Sequence, residues 1–367
     1  MSTLKVDGIR SNSATSDAIT LADNGTCTAN ITNNLSNRNL IINGAMLVAQ
    51  RGTSFTATGS YPVDRFRPQW GGADANPTIA QVDVASGTTP YTLGFRKALK
   101  ITNADQSSGG GTSDYLFIRY KVEAQDLAQS GWNYTSASSF ITLSFWVKSS
   151  VPQTFQCRLE TQDGTKKNYP FETGSLSQDT WTKVTKTISG NSGIQIDNDN
   201  GCGVEIWWEL FRGTSETDNS VTNEAWGDPT TNRTKDQTTT WYTTDTATFE
   251  ITGVQLEAGS VGTDFEFLSY ADELKRCERY YEIAATGQVF KIESTGGYVE
   301  IPMIFRTEKT TTPTMTLLSS DENFVSSVSV VGGNSTEKIY HAGLRGNTVV
   351  TTGNKYLYGK ASADAEL

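Results

Sequence analysis

The stretch FITLSFWVK, Phe140–Lys148, shows most directly what this chain folds into. Every second residue in it is large and apolar, namely Ile141, Leu143, Phe145 and Val147. Strict alternation places such residues on one face of an extended strand, because successive side chains point to opposite sides. The stretch therefore predicts a β-strand with one face in a hydrophobic core.

Similar segments lie on both sides of this strand. Gly203–Phe211 (GVEIWWELF) alternates in the same way. In Thr248–Glu257 (TFEITGVQLE) the apolar phase slips by one residue at Gly253, which predicts a β-bulge. The apolar run Asn39–Val48 is broken by an Asn-Gly pair at Asn43, which indicates a turn or a bulge.

Composition extends the β pattern to the whole chain. Apolar residues make up 36% and aromatic residues 10% of the 367 residues, with abundant Gly, Ser, Thr and Asn. This balance favours strands joined by polar turns over packed helices. We predict an all-β protein whose residues 39–267 form a jelly-roll-like antiparallel β-sandwich.

The chain after the sandwich is predicted to contain one helix and a smaller β domain. In residues 268–284, Ser269 can cap a helix whose acidic first turn suits its positive N-terminus. Residues 285–367 return to strands: Val299, Ile301, Met303 and Phe305 alternate, and a second run begins at Pro313. We therefore expect a linking helix followed by a C-terminal β domain.

Residues 1–38 differ in composition from the rest of the chain. Short apolar runs alternate there with Ser, Thr, Asn, Asp and Gly. Such a segment cannot bury a core alone, so it is either a floppy tail or a segment that packs against copies of itself or a larger particle. We favour an extended attachment or oligomerisation segment. Its candidate contact residues are Val6, Ile9, Ile19, Leu21 and Ile31.

Charge and cysteine usage exclude several classes of partner. A net charge of −10 without any basic run disfavours nucleic acid. The N-terminus has no apolar signal-peptide core and no segment is long enough to span a membrane, so we expect a soluble protein made in a cytoplasm. The four cysteines are scattered without CxxC spacing, which predicts neither a zinc site nor a disulfide framework.

The sequence contains little that indicates catalysis. His341 is the single histidine, no GxSxG or HExxH motif is present, and the glycine run before Thr112 lacks the lysine of a phosphate loop. We expect no cofactor and no enzymatic activity. A pair of carboxylates of the glycosidase kind remains open, because 40 acidic residues provide many candidates.

One acidic run could hold a metal ion. Asp197–Gly201 reads DNDNG, which starts like a calcium loop, but the later ligand positions do not follow. A loose calcium site at Asp197 and Asp199 is the weaker interpretation, and a hairpin turn is favoured.

Aromatic residues in polar connections are the candidates for glycan contact, because saccharides bind exposed rings flanked by amides and carboxylates. The long connection from Gly213 to Asp245 carries three of them, and a second group lies between strands. The candidates are Trp132, Tyr134, Trp226, Trp241 and Tyr242. The alternative is that these rings plug the ends of the sandwich and the long loop folds back on it.

Three stretches together resemble marine bacteriophage (cyanophage-like) tail-fibre and receptor-binding proteins. They are LKVDGIRSNSATSDAITLADNGTCTANI from Leu4, NRNLIINGAMLVAQRGTS with YPVDRF from Tyr61, and FEITGVQLEAGSVGTDFEFLSYADELKRCERYYE from Phe249. The resemblance implies a virion appendage, commonly a homotrimer, that joins other tail proteins and has a sandwich similar to carbohydrate-binding modules. It transfers no catalytic residue.

The favoured function is thus a virion protein, assembled in the host cytoplasm, that binds a host-surface glycan or lipopolysaccharide. A polysaccharide-degrading tailspike and a purely structural head fibre or tail adaptor are the alternatives.

Overall fold

The computed structural model describes residues 6–12, 15, 17, 19–21, 27–29, 38–229, 233–322, 324–331 and 341–367. Strands take up 45% of the chain and helices 7%, which confirms the predicted all-β class. No helix in the described ranges is long and apolar enough to cross a membrane.

Three short strands precede the sandwich and pair with each other in an antiparallel sheet: β1 (Gly8–Ile9), β2 (Ile19–Leu21) and β3 (Cys27–Ala29). Val6, Ile9 and Leu21 are exposed, and Ile19 is half-buried. Ile31 lies outside the described residues. The attachment role of this segment stays a prediction.

Eleven strands build the sandwich. They are β4 (Ser54–Phe55), β5 (Arg67–Gly71), β6 (Thr78–Asp83), β7 (Lys97–Thr102), β8 (Tyr115–Glu123), β9 (Phe140–Ser149), β10 (Thr154–Thr161), β11 (Asn168–Ser175), β12 (Thr182–Ser189), β13 (Cys202–Arg212) and β14 (Thr248–Ala258). Three short helices that the sequence did not predict interrupt them: α1 (Thr89–Thr92), α2 (Ala124–Ala128) and α3 (Thr240–Thr243).

The sandwich consists of two antiparallel sheets that face each other. One has five strands in the order β11-β10-β13-β8-β5, and the other has six in the order β12-β9-β14-β7-β6-β4. Between them, Phe145 of β9 meets Trp208 of β13 edge-on, with ring centroids 5.8 Å apart. The chain changes sheet between all consecutive strands except β6 to β7 and β10 to β11, which fits the predicted jelly-roll-like arrangement.

The predicted bulge and the predicted turn meet at one point of the sandwich. The register of β14 against β9 shifts at Gly253, whose φ is 63°. Asn43 also has a positive φ, and the next residue, Gly44, lies so close to β14 that a Cβ there would be 2.1 Å from the Val254 oxygen. Only glycine permits this close approach of the two backbones.

The linking helix α4 (Tyr270–Glu278) begins as predicted, with the Ser269 hydroxyl accepting a hydrogen bond from the Asp272 backbone N–H at 3.2 Å. At its end, Arg279 donates from Nε to Glu123 of β8 at 2.7 Å. Burial alone would raise the pKa of Glu123, but the hydrogen bonds from Arg279 and Tyr280 outweigh it and lower the pKa. This ion pair ties the helix to the end of the sandwich.

The C-terminal domain consists of β15 (Tyr281–Ile292), β16 (Val299–Ile304), β17 (Thr314–Glu322), β18 (Val325–Val331), β19 (His341–Val349) and β20 (Gly353–Asp364). They form two antiparallel sheets of three strands, β15-β20-β17 and β16-β19-β18. Ile301, Met303 and Leu344 of one sheet pack with Leu357 and Ala361 of the other. The predicted smaller β domain is confirmed.

Candidate functional site

The long connection from Gly213 to Asp245 folds back onto the five-stranded sheet. Asn168 of the edge strand β11 pairs with Gly227 through two backbone hydrogen bonds of 2.8 and 2.9 Å. The Glu224 N–H donates to the Pro170 oxygen at 2.7 Å. The described part of the loop therefore extends the sheet beyond β11 and is positioned by it.

Two of the predicted ligand contacts in this loop belong to the core. Trp241 and Tyr242 lie on α3 and are fully buried. The Trp241 indole N–H donates to the Thr248 oxygen at 3.1 Å, and Tyr242 stacks on Phe211 with ring centroids 4.3 Å apart. The structure corrects the prediction for both rings: they plug the end of the sandwich, out of reach of a ligand.

The two aromatic residues between β8 and β9, Trp132 and Tyr134, differ in their exposure to solvent. Trp132 is buried in the sandwich core, so the prediction of a ligand contact is corrected for this ring as well. Tyr134 packs edge-on against it at 6.2 Å and is half-buried, with its hydroxyl 3.4 Å from the Ile196 oxygen. Tyr134 alone of the two remains accessible to a ligand.

Trp226 is the predicted contact that lies in a cleft. It is half-buried, packs against Tyr169 at 5.2 Å between ring centroids, and donates from its indole N–H to the Ser189 oxygen at 2.6 Å. These contacts hold the ring at the wall of a cleft of about 420 Å³. We call it the Trp226 cleft; its lining includes Asn168, Pro170, Ser220, Thr222, Trp226 and Asp228.

The polar groups of the Trp226 cleft can both accept and donate hydrogen bonds. Asn168 is only 4% exposed, and although its amide nitrogen donates to the Arg233 oxygen at 2.8 Å, its Oδ1 has no partner among the described residues. Asp228 is paired with Lys167 at the rim. Ser220 and Thr222 add two hydroxyls to the lining.

This combination matches the chemistry of a saccharide. A pyranose has an apolar face that stacks on an aromatic ring and hydroxyls that donate to carboxylate or amide oxygens. The volume of about 420 Å³ falls within the range of ligand pockets. The sequence contained one signal for this site, the tryptophan in a long polar loop, but not the contribution of Asn168 from β11.

The outer face of the five-stranded sheet carries a second polar cluster that sequence reasoning missed. Trp207 of β13 lies between Arg158 of β10 and Arg119 of β8 in one cross-strand row, with the Arg158 guanidinium 4.0 Å from its ring centroid. Glu209 accepts from Arg158 Nε and from Arg212 Nε, both at 3.0 Å. The alternation of Gly203–Phe211 already separated Glu205, Trp207 and Glu209 from the core face.

This cluster is closed to solvent. Arg158 and Glu209 are fully buried, and Trp207 is nearly so. The loop contributes Glu216, which pairs with Arg212 from above. The unused polar atoms Arg158 Nη2, Trp207 Nε1 and Arg212 Nη2 have no hydrogen-bond partner among the described residues. The cluster thus supports the loop that shapes the Trp226 cleft, and presents no open binding surface.

The possible calcium ligands form a turn instead. Asp199 Oδ1 accepts from the Gly201 N–H at 2.8 Å, and the Asp197 N–H donates to Asp163 Oδ2 at 2.9 Å. Burial, followed by the charges of Asp197 and Asp199, raises the pKa of Asp163. Across the described ranges, no three His, Cys, Asp or Glu side chains are grouped to hold a metal ion, and the segment connects β12 of one sheet to β13 of the other, so it is not the favoured hairpin.

Comparison with known proteins gives only remote likeness. No protein-family model matches the chain. No curated protein sequence matches it either. Among solved structures, the enzymatically active domain of bacteriophage CBA120 tailspike protein 4 is 10% identical, with a TM-score of 0.32 over 60% of this chain and 22% of that one.

Two smaller proteins are similarly distant. A putative sugar binding protein from Bacteroides thetaiotaomicron is 13% identical, with a TM-score of 0.32 over 60% of this chain and all of the other. The family 11 carbohydrate-binding module of a cellulosomal cellulase of Clostridium thermocellum is 9% identical, with a TM-score of 0.27 over 56% of this chain and 95% of that module. These values are too low for a ligand or an activity to be carried over.

Proposed function

We propose that this protein is a glycan-binding virion appendage, a tail fibre or receptor-binding subunit that attaches a bacteriophage to a host-surface glycan or lipopolysaccharide. The observation that carries the binding part is the Trp226 cleft, where an aromatic ring held by Tyr169 and the Ser189 oxygen lies among polar side chains. The virion part is supported by the resemblance of three stretches of the sequence to tail-fibre proteins.

The N-terminal segment supports attachment or oligomerisation. Val6, Ile9 and Leu21 expose apolar surface on or next to the short strands β1 and β2. Apolar side chains in such a small sheet gain stability only when a neighbouring subunit or particle covers them. In a homotrimer, three copies of a weak saccharide site act at high effective concentration, so adhesion is far tighter than one site allows.

We propose binding without hydrolysis. A glycosidase needs a carboxylic acid with a raised pKa beside a second carboxylate at the bound sugar. Burial raises the pKa of four carboxyls, and none of them lines the Trp226 cleft: Asp64, Asp126, Asp163 and Glu273. Release of reducing ends from host capsule or lipopolysaccharide would contradict this part of the proposal and favour a degrading tailspike.

The central experiment is titration calorimetry of the full chain with a panel of neutral hexasaccharides (glucan, mannan and galactan) and one uronic acid hexasaccharide. Trp226→Ala should weaken the best of these ligands about tenfold, since an aromatic contact of this kind contributes about 0.5–1.5 kcal/mol beyond area burial. Trp181→Ala is the matched control, because Trp181 is a half-buried tryptophan outside the cleft.

A folded Trp226→Ala protein that binds as the wild type does would contradict the cleft as the binding site. Should that variant unfold, Asp228→Ala at the exposed rim tests the same cleft. The oligomeric part is tested separately: light scattering should give three times the 39.9 kDa chain mass, and a monomer at micromolar concentration would refute the trimer.

A further inference from the structure

We propose a second saccharide-binding site on the C-terminal domain, built on the solvent face of the sheet β15-β20-β17. Its centre is Tyr358 of β20, whose ring edge lies over Gly287 of β15 and which is 46% exposed. We call the group of Tyr356, Tyr358 and Gly287 the Tyr358 platform.

The place of the Tyr358 ring on the sheet follows from Gly287, the residue paired with it. Gly287 and Tyr358 are direct cross-strand partners, so their side-chain positions share one face of the sheet. A Cβ at position 287 would lie 1.9 Å from Tyr358 Cδ1, which no real side chain permits. The ring therefore occupies the space that a side chain at 287 would fill, and about half of Tyr358 stays open to solvent.

Polar groups of both signs flank the platform. Asp321 of β17 is the other cross-strand partner of Tyr358, and the Tyr356 hydroxyl lies 3.4 Å from Asp321 Oδ1. Lys360 is exposed two residues further along β20, on the same face. The Tyr356 and Tyr358 ring centroids are 5.4 Å apart and the rings are tilted by 43°, so the two tyrosines form one aromatic patch.

These groups favour a neutral saccharide as the occupant. The apolar face of a pyranose can contact the exposed ring of Tyr358, while its hydroxyls donate to Asp321 and accept from Lys360. A polyanion would meet the Asp321 carboxylate beside the ring, and no basic cluster compensates for it on this row. The charges therefore complement a ligand that carries donors and acceptors but no net charge.

This site lies in a different domain from the Trp226 cleft and rests on the proposed function only for the class of ligand. A chain with two weak sites would bind one glycan surface at two points. Once the first site is occupied, the effective concentration of glycan at the second site is high, so the overall affinity increases. Each site can be lost without the other, so the two proposals can fail separately.

The test is titration calorimetry of the full chain with the neutral hexasaccharides named above. We expect Trp226→Ala to retain one weak site, and Tyr358→Ala in that background to weaken this site about tenfold. Gly287→Ala should weaken it similarly, because the added methyl group turns the ring away while both tyrosines remain. Tyr298→Ala is the matched control, an exposed tyrosine preceding β16 in the same domain.

The outcomes separate the two sites. Loss of binding in Trp226→Ala with no effect of Tyr358→Ala would overturn the platform and leave the cleft. Loss in Tyr358→Ala with no effect of Trp226→Ala would support the platform against the cleft. If no neutral hexasaccharide binds the wild type, the platform fails, and the cleft fails as well only if the uronic acid hexasaccharide does not bind either. If Tyr358→Ala dissociates the oligomer in light scattering, the face is a contact between copies, and the platform proposal is overturned.

Discussion

Replacing Glu209 by glutamine should destabilise the sandwich strongly. Glu209 is 0% exposed and accepts hydrogen bonds from Arg158 Nε and Arg212 Nε, each at 3.0 Å. Glutamine keeps the size and shape of the side chain but removes its charge. Two buried guanidinium groups would then lose the carboxylate that lies between them.

The magnitude follows from the burial of the group. Breaking a buried ion pair by removing one partner costs about 3–5 kcal/mol, because an uncompensated charge is left in a medium of low polarity. In the variant, Arg158 is still paired with Glu160, at 2.5 Å, and Arg212 is still paired with Glu216. We therefore expect the free energy of unfolding to fall by about 3 kcal/mol, the lower end of that range. Glu216→Gln is the control: this carboxylate contacts the same Arg212 but is 41% exposed, and should cost less than about 1 kcal/mol.

Urea unfolding followed by tryptophan fluorescence measures this change in the sandwich alone. All eight tryptophans lie between residues 70 and 241, so the C-terminal domain contributes none to the signal. The difference in the free energy of unfolding is obtained from the midpoints at unchanged slope. A loss in Glu209→Gln no larger than that in Glu216→Gln would refute the reasoning that Glu209 neutralises buried charge.

The effect has a defined pH dependence. Burial alone would raise the pKa of Glu209, but the charges of Arg212 and Arg158 outweigh it and hold the pKa below its ordinary value of 4.5. A carboxylate with a lowered pKa stabilises the fold fully above the pKa of the unfolded chain, and less as pH falls through the pKa of the folded state. The difference between wild type and Glu209→Gln should thus be constant above about pH 5 and shrink in more acidic solution.

Three further changes test the fold. Gly253→Ala should lower the free energy of unfolding in urea by about 2–3 kcal/mol, because the φ of residue 253 is 63° and the added methyl group would lie 2.6 Å from the Phe95 ring. An unchanged free energy of unfolding would show that the bulge is not strained. Trp241→Ala should cost about 3–5 kcal/mol by leaving a cavity, and a loss under about 1 kcal/mol would mean that the ring is not packed. Burial raises the pKa of the Cys157 and Cys277 thiols, so neither should react with iodoacetamide at neutral pH before unfolding, as peptide mapping can check; native labelling at the unfolded rate would contradict their burial.

Much of the fold could be predicted because it depends on neighbours in sequence. The alternation of Phe140–Lys148 requires one buried face in any sheet, and β9 buries Ile141, Leu143, Phe145 and Val147. The phase slip at Gly253 and the cap at Ser269 are equally local, since each involves only adjacent residues and backbone geometry. The helices α1 to α3 escaped prediction because four or five residues carry no detectable helical period.

The candidate sites were decided by the tertiary structure. Trp226 and Trp241 lie in one polar loop with similar neighbours, yet one lines a cleft and the other is buried. What covers a ring is set by elements distant in sequence: β11 and β12 hold Trp226 through Tyr169 and the Ser189 oxygen.

The same reason applies to the Tyr358 platform. The Tyr358 ring has room on the sheet because a glycine 71 positions earlier is its cross-strand partner, by the pairing of Gly287 with Tyr358. The sequence by itself determined which faces of the strands must be buried, since that depends on the pattern of apolar side chains along each strand. Which aromatic rings remain open to a ligand was decided only by the tertiary structure, because solvent exposure depends on the long-range contacts that cover or leave free each ring.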